Sequence, residues 1–287
     1  MKKNLVLGLS LITVFALCTA CKEALPEGPP PFRDECWKEI ESGGGTHDDF
    51  RYKEADGTIT IIRYEGTGGM VSIPEKIDEI PVTKIGIHAF RETKLTEVII
   101  PNSVTAIGEC AFSNNELTEV TIPEGVISIE RAVFYKNKLA KVNISDSVVS
   151  IREGAFRENR LANVIIPDSV NSIKGYAFYD NMLFEVTIPE GITRLESFTF
   201  RNNKLTSITI PNSVMYIGAY VFDFDKITSI NIGANVIIDG SNIYQINADG
   251  SITELFDLSF KNAYDTSGRQ AGTYTRVDTT SRVWTRE

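Results

Sequence analysis

The chain is poor in the residues that carry chemistry. Of its 287 residues only two are histidine, His47 and His88, and only four are cysteine. Cys18 and Cys21 lie near the start, so the body holds only Cys36 and Cys110. No histidine, cysteine or acidic residues recur at metal-ligand spacing, and no nucleophile has a base at a motif spacing. GGG at 43–45 and GTGG at 66–69 lack the strand-to-helix setting of a phosphate loop. NADGS at 247–251 has too few carboxylates for a calcium loop and fits a turn. The expectation is a protein that is no enzyme and uses neither cofactor nor metal.

Cations are in deficit as well. Lys and Arg number 29 against 38 Asp and Glu, a formal charge of −9. Bulk charge of that sign argues against binding nucleic acid or an anionic lipid surface.

Long apolar runs are absent except at the start, where Lys2 and Lys3 precede LVLGLSLITVFAL, Leu5 to Leu17, and then CTAC. A basic start, a short apolar core and small residues before a cysteine make an export signal over 1–20, since a membrane span needs about 20 apolar residues. LCTAC resembles a bacterial lipoprotein signal, with Cys18 and Leu17 standing slightly off its commonest form. That resemblance implies lipidation at Cys21, with several acyl chains giving a stable anchor. A plain secretory signal is the alternative. Loss of 1–20 removes two lysines and no acid, which leaves the body more acidic still.

What is abundant is repetition. Phe90, Phe112, Phe134, Phe156, Phe178, Phe200 and Phe222 stand at intervals of 22 residues. Leu95 to Ile227, Val98 to Ile230 and Ile100 to Ile232 keep the same step. A fixed period in the range of about 20–50 residues marks a solenoid, whose coils bury their apolar faces only by stacking. Within a coil only the V-x-I step, as in Val120 and Ile122, alternates with period two. It predicts one short strand per coil, ended by proline at 101, 123, 167, 189 and 211, stacked into a parallel sheet. The phenylalanines form an internal ladder behind it. Asn115, Asn137, Asn159, Asn181 and Asn203, each three after a Phe, are expected to bond turns of adjacent coils. Thr93 and Asp225 replace them in the terminal coils.

Organisation follows. Residues 21–49, with KEALPEGPPPF and SGGGTHDD, read as a lipid-anchored flexible tether. Residues 50–72 alternate around Asp56-Gly57 and predict an N-terminal cap hairpin. The solenoid spans 73–232: a first coil of 27 residues, with five extra residues forming a loop between Ile73 and Val82, then six coils of 22. The array is expected to fail where Asp239 occupies the place of Ile217. Residues 233–287 form the C-terminal cap. Cys110 shares a column with His88, Ala132, Gly154, Tyr176, Phe198 and Tyr220, so it reads as an ordinary, partly buried side chain. Pairing of Cys36 with Cys110 across different units is left open.

LTEVTIPEGVISIERAVFYKN resembles the Treponema-type, or BspA-like, leucine-rich repeat, roughly L-x-x-I-x-I-P-x-x-V-x-x-I-x-x-x-A-F. It departs where the family often has cysteine and this chain has asparagine, and where Ser145 and Gly233 replace proline. The resemblance implies a mainly β, right-handed leucine-rich-repeat solenoid with a parallel sheet and β-hairpin caps at both ends. The tail, Phe260 to Glu287, is similar to the C-terminal segments of spirochaete proteins with these repeats. It is read as a short helix or turn and a hairpin of GTYTRV and SRVWTR, with Tyr274 and Trp284 in the cap core. The family implies a monomeric lipoprotein at the bacterial outer membrane, on its cell surface or periplasmic face. Some relatives are adhesins for extracellular-matrix proteins or other bacteria.

Two rows are candidates for binding a protein or glycan. One, expected to be exposed just after each Phe, carries Arg91, Ser113, Tyr135, Arg157, Tyr179 and Arg201, types enriched in interface hot spots. Its alternative is a solvated turn with arginines facing acids such as Glu158. The other, on the outward strand face and expected to be concave, carries Ile99, Thr121, Asn143, Ile165, Thr187 and Thr209, with Phe184 nearby. Glu97, Glu119, Lys141, Asn163, Glu185, Ser207 and Ser229 flank it. The strand row is favoured slightly. A structural envelope lipoprotein without a host-facing role is the alternative function.

Overall fold

A computed structural model describes residues 44–222, 226–239, 244–246, 252–254 and 258–287. The signal, Cys21, Cys36, most of the tether, Asp225 and the NADGS stretch lie outside the described residues.

The N-terminal cap is an antiparallel run of β1 (Gly45–His47), β2 (Phe50–Ala55) and β3 (Thr58–Tyr64). Asp56 and Gly57 both take positive φ, 53° and 68°, as the predicted two-residue hairpin requires. β3 then pairs in parallel with a later strand, Ile80–Ile85, and so hands the cap's hydrogen-bonding edge to the solenoid. Gly69–Ser72 is β4, and it stacks in parallel on 95–99. The coil-to-coil stacking of strands therefore reaches back to Gly69.

The five extra residues of the first coil are not a plain loop. Lys76–Ile77 and Ile80–Ile85 form a second tight hairpin, turned by Asp78 and Glu79 at φ 48° and 66°. Ile77 and Val82, 1% and 0% exposed, point the hairpin's apolar side chains into the core, so the insertion is anchored by burial.

Most coils then contribute two short strands rather than the single one expected. The first is the V-x-I strand, at 95–99, 119–121, 141–143, 207–209 and 229–232. The second is a two-residue step ending on the coil's next isoleucine or leucine: 106–107, 128–129, 150–151, 172–173, 194–195, 216–217 and 237–238. A two-residue strand leaves almost no alternation to detect, which is why periodicity passes over it. A third inter-coil ladder runs through the phenylalanine backbone, from Phe112 N–H to Val133 O at 3.0 Å and from Phe156 N–H to Ala177 O at 2.9 Å.

The first sheet is also discontinuous. Residues 163–165 and 185–187 form no strand, yet Val164, Ile166 and Ile188 remain buried. Across that interval the coils stay joined by this packing and by neighbouring backbone bonds, such as Met182 N–H to Leu161 O at 2.9 Å and Phe184 N–H to Ala162 O at 3.1 Å. The second sheet continues past the expected end. Ile238 pairs opposite Ile217, one residue short of the 22-residue step, and is 6% exposed. A one-residue deletion between Val236 and Ile238 thus keeps an isoleucine in the core and leaves Asp239 beyond it.

The phenylalanine ladder is as expected. Ring centroids from Phe90 to Phe222 step by 5.0 to 5.7 Å with nearly parallel planes, within the range of favourable ring pairs. Tyr64 of the cap adds a rung, 5.4 Å from Phe90. The asparagines bridge coils as their chemistry predicts. Asn159 Nδ2 donates to Phe134 O at 2.9 Å and Phe156 O at 3.1 Å, while its Oδ1 accepts from Leu139 N–H at 3.0 Å. Thr93, at the ladder's end, donates its hydroxyl to Phe90 O at 2.8 Å.

The C-terminal cap is the helix Leu258–Thr266 and a terminal hairpin, Gly272–Thr275 with Thr285–Arg286, which pairs antiparallel onto 229–232. Phe260, Tyr264, Tyr274 and Trp284 close its core, with ring contacts of 5.2 to 6.1 Å. Tyr264 Oη donates to Gly233 O at 2.7 Å and accepts from Val236 N–H at 3.0 Å, tying the cap to the last coil.

Candidate binding face

The two rows raised by the sequence have opposite fates. Ile99, Thr121, Asn143, Ile165, Thr187 and Thr209 are all exposed: strand alternation turns Val98, Val120 and Val142 inward and their successors out, and Val164 and Ile165 keep the same order without a strand. Ile165 is 84% exposed and Phe184 53%. Charges on this face pair from coil to coil: Lys138 Nζ to Glu116 Oε2 at 2.8 Å and Lys141 Nζ to Glu119 Oε1 at 2.7 Å. The hydrogen bonds and charges of those lysines hold the Glu116 and Glu119 carboxyls below the usual range. Asn143 Nδ2 also donates to Thr121 Oγ1 at 3.0 Å.

The row after each Phe is not the exposed row expected. Ser113 and Arg157 are 2% and 7% exposed, and Tyr135, Tyr179 and Arg201 are half-buried. Residue 154 is a glycine, and the Arg157 side chain lies against the ring one coil on, with its guanidinium carbon 5.5 Å from the Tyr176 centroid. It also sits 5.5 Å from Tyr135 and 5.1 Å from Tyr179, and it pairs with Glu158 at 3.1 Å. Arg201 sits over Tyr220 at 4.8 Å. The solvated-turn alternative was right about Glu158 and the exposed row was not: this is a cation–π stack inside the flank.

That stack leans on a second aromatic ladder, Tyr176, Phe198 and Tyr220, with centroid steps of 4.7 and 5.1 Å. Burial pushes the Tyr176 phenol up to about 12. The column passes from small, at Cys110, Ala132 and Gly154, to aromatic, and reading it together with the Tyr/Arg column would have signalled packing. Cys110 is 1% exposed and disulfide-bonded, not an ordinary side chain, and its partner lies outside the described residues.

Every residue of the Cys110 column takes positive φ, from 52° at Ala132 to 65° at Phe198. A depression of about 470 Å³ on this flank is lined by Glu109, Arg131, Arg152, Lys174 and Glu196. Lys174 and Arg194 both reach Glu196, at 3.7 and 3.6 Å, so much of its charge is spent internally. Among the described residues no three His, Cys, Asp or Glu side chains group at metal-binding range.

A family model described as a BspA-type leucine-rich repeat region matches in six copies, over residues 83–194 and 149–266, more than half of the chain. Among solved structures, a leucine-rich repeat protein from Bacteroides ovatus is 22% identical, with a TM-score of 0.55 over 70% of this chain and 68% of that one. The T. pallidum leucine-rich repeat protein is 25% identical, with a TM-score of 0.39 over 63% of this chain and 84% of that one. The pneumococcal vaccine antigen PcpA is 17% identical, with a TM-score of 0.44 over 68% and 72%. No curated protein matches.

Proposed function

The chain belongs to the BspA-type leucine-rich repeat family, and from that premise we propose that it is a non-catalytic lipoprotein whose solenoid binds a protein or glycan partner outside the cytoplasm. Cys21 carries the lipid anchor, the tether lifts the body from the outer membrane, and an extracellular-matrix protein is a candidate partner. One observation carries this reading: the strand row from Ile99 to Thr209 is exposed in every coil and is not filled by one residue type, mixing isoleucine, threonine and asparagine. Varied side chains held at a fixed spacing on a rigid scaffold are what a recognition surface needs. Packing does not require them, since the core lies in other columns.

The test is binding of the purified protein to immobilised basement-membrane extract, with Thr121, Asn143, Ile165 and Thr187 all replaced by Glu. Binding by wild type and its loss in the variant, at an unchanged melting temperature, is expected. Equal binding by both would remove the strand row from the site. Protease shaving of intact cells addresses location: a body untouched until the outer membrane is breached would sink the host-facing role and leave the structural envelope lipoprotein.

A further inference from the structure

One column on the strand side was not singled out by its sequence. The residue before each buried leucine or isoleucine reads Lys94, Glu116, Lys138, Arg160, Met182, Lys204 and Lys226. That is five cations and one acid, in a chain where acids outnumber cations. All are exposed except the half-buried Lys138. Lys138 is occupied by Glu116 at 2.8 Å, and Lys226 Nζ donates to Asn203 O at 3.0 Å. The side chains of Arg160 and Lys204 form no ion pair or hydrogen bond among the described residues. Met182, 43% exposed, stands between them, and Phe184, 53% exposed, lies two residues on. Of the nearby acids, Asp180 accepts from Asn202 Nδ2 at 2.6 Å, and Glu185 sits at the patch margin. The strand ladder lapses at this place, 163–165 and 185–187.

We propose that this patch binds an extended acidic polypeptide segment, with Arg160 and Lys204 each receiving a carboxylate and Met182 and Phe184 receiving an apolar side chain from between them. The proposal rests on the partner-binding reading above and gives that partner a chemistry. Stacked coils advance about 4.8 Å each, so the two cations stand about 10 Å apart along the solenoid axis. In a polyproline II segment, residues i and i+3 lie on one side about 9.3 Å apart. The matching pattern is acid-x-x-acid with an apolar residue inside it. A sulfated or uronate polysaccharide would also supply anions, but it has no use for the apolar surface of Met182, Phe184 and Ile165. The net charge of −9 opposes an acidic partner at long range, so its attraction must come from this local cluster of cations.

The experiment uses the full-length protein in detergent and three fluorescent probes: poly-L-glutamate, a random glutamate–tyrosine copolymer, and heparin. The copolymer should bind, more weakly as salt rises. Arg160→Glu with Lys204→Glu should weaken it by about tenfold, reversal of two exposed charges acting on both attraction and repulsion. Met182→Ala with Phe184→Ala should weaken the copolymer several-fold and leave poly-L-glutamate unchanged. Arg152→Glu, on the other flank, should change neither, and melting temperatures should match throughout. No copolymer binding, or binding within about twofold after charge reversal, would overturn the proposal. So would heparin binding tighter than the copolymer and indifferent to Met182 and Phe184, which would assign the patch to an anionic glycan. Matrix binding that survives the charge reversal sinks only this inference; absence of matrix binding by wild type sinks the broader reading, whatever the copolymer does.

Discussion

The Tyr/Arg row and the strand row repeat at the same interval and vary from coil to coil, yet Arg157 is 7% exposed and Ile165 is 84% exposed. The hydrophilic member is inside and the apolar one outside. Variation along a column therefore does not mean solvent, because a side chain beside each corner can fold over its neighbours or away from them. Gly154 and Tyr176 let Arg157 fold inward, where three rings and Glu158 receive it. Ile165 follows buried Val164 in the same in-out order as the strand pairs Val120-Thr121 and Val142-Asn143, and so stands outside although its own coil forms no strand there.

The largest effect expected tests what both rows rest on. Phe156 is fully buried, with Phe134 and Phe178 at 5.7 and 5.5 Å. Phe156→Ala should cost about 3–5 kcal/mol in urea denaturation, since it removes a mid-array rung and leaves a cavity. A cost below about 1 kcal/mol would mean the ladder collapses freely around the gap.

The contrast itself is broken or sharpened by a matched pair. Arg157→Ala should destabilise by about 1–3 kcal/mol, because it strips a charge-assisted bond from Glu158 and leaves Tyr135, Tyr176 and Tyr179 around a void. Ile165→Ser should stay within about 0.5 kcal/mol, as an exposed substitution does. Equal costs would dissolve the distinction. For the same reason, replacing Tyr135, Arg157, Tyr179 and Arg201 together cannot serve as a clean binding knockout: the melting temperature should fall with it.

How far the sequence disclosed this molecule depends on the period of each feature. The phenylalanine, leucine and asparagine columns were legible because each is filled by one residue type and repeats at 22. The Asn159 bonds follow from amide chemistry alone. The two-residue second strands were not legible, since Ser150-Ile151 carries no alternation. Nor was the deletion before Ile238, because a one-residue slip looks like the end of an array until pairing is seen. The Asp78-Glu79 hairpin hid because neither residue is glycine. The strand row's exposure was readable from alternation. The burial of Arg157 was not, because it depends on Gly154 and Tyr176, which sit in another column and in part another coil. The Arg160 and Lys204 patch was not legible, because its column mixes lysine, arginine, glutamate and methionine and only the structure shows which of its cations are paired.

The smallest effect expected belongs to the strand row's own charges. Glu116 and Glu119 have their carboxyls lowered by the hydrogen bonds and charges of Lys138 and Lys141. A folded value below the unfolded one adds stability that is present above the unfolded value and is lost as pH falls through the folded one. Both carboxylates are solvent-exposed, so salt screens the pairs and little stability rides on them. Lys141→Met should therefore lower the melting temperature slightly at pH 7 in low salt and not at all at about pH 2 or in 1 M salt. Thermal melts over that grid check it. A deficit that persists at low pH and high salt would mean that Lys141 holds the strand face by packing its stem, and the contrast with Arg157 would then be one of degree.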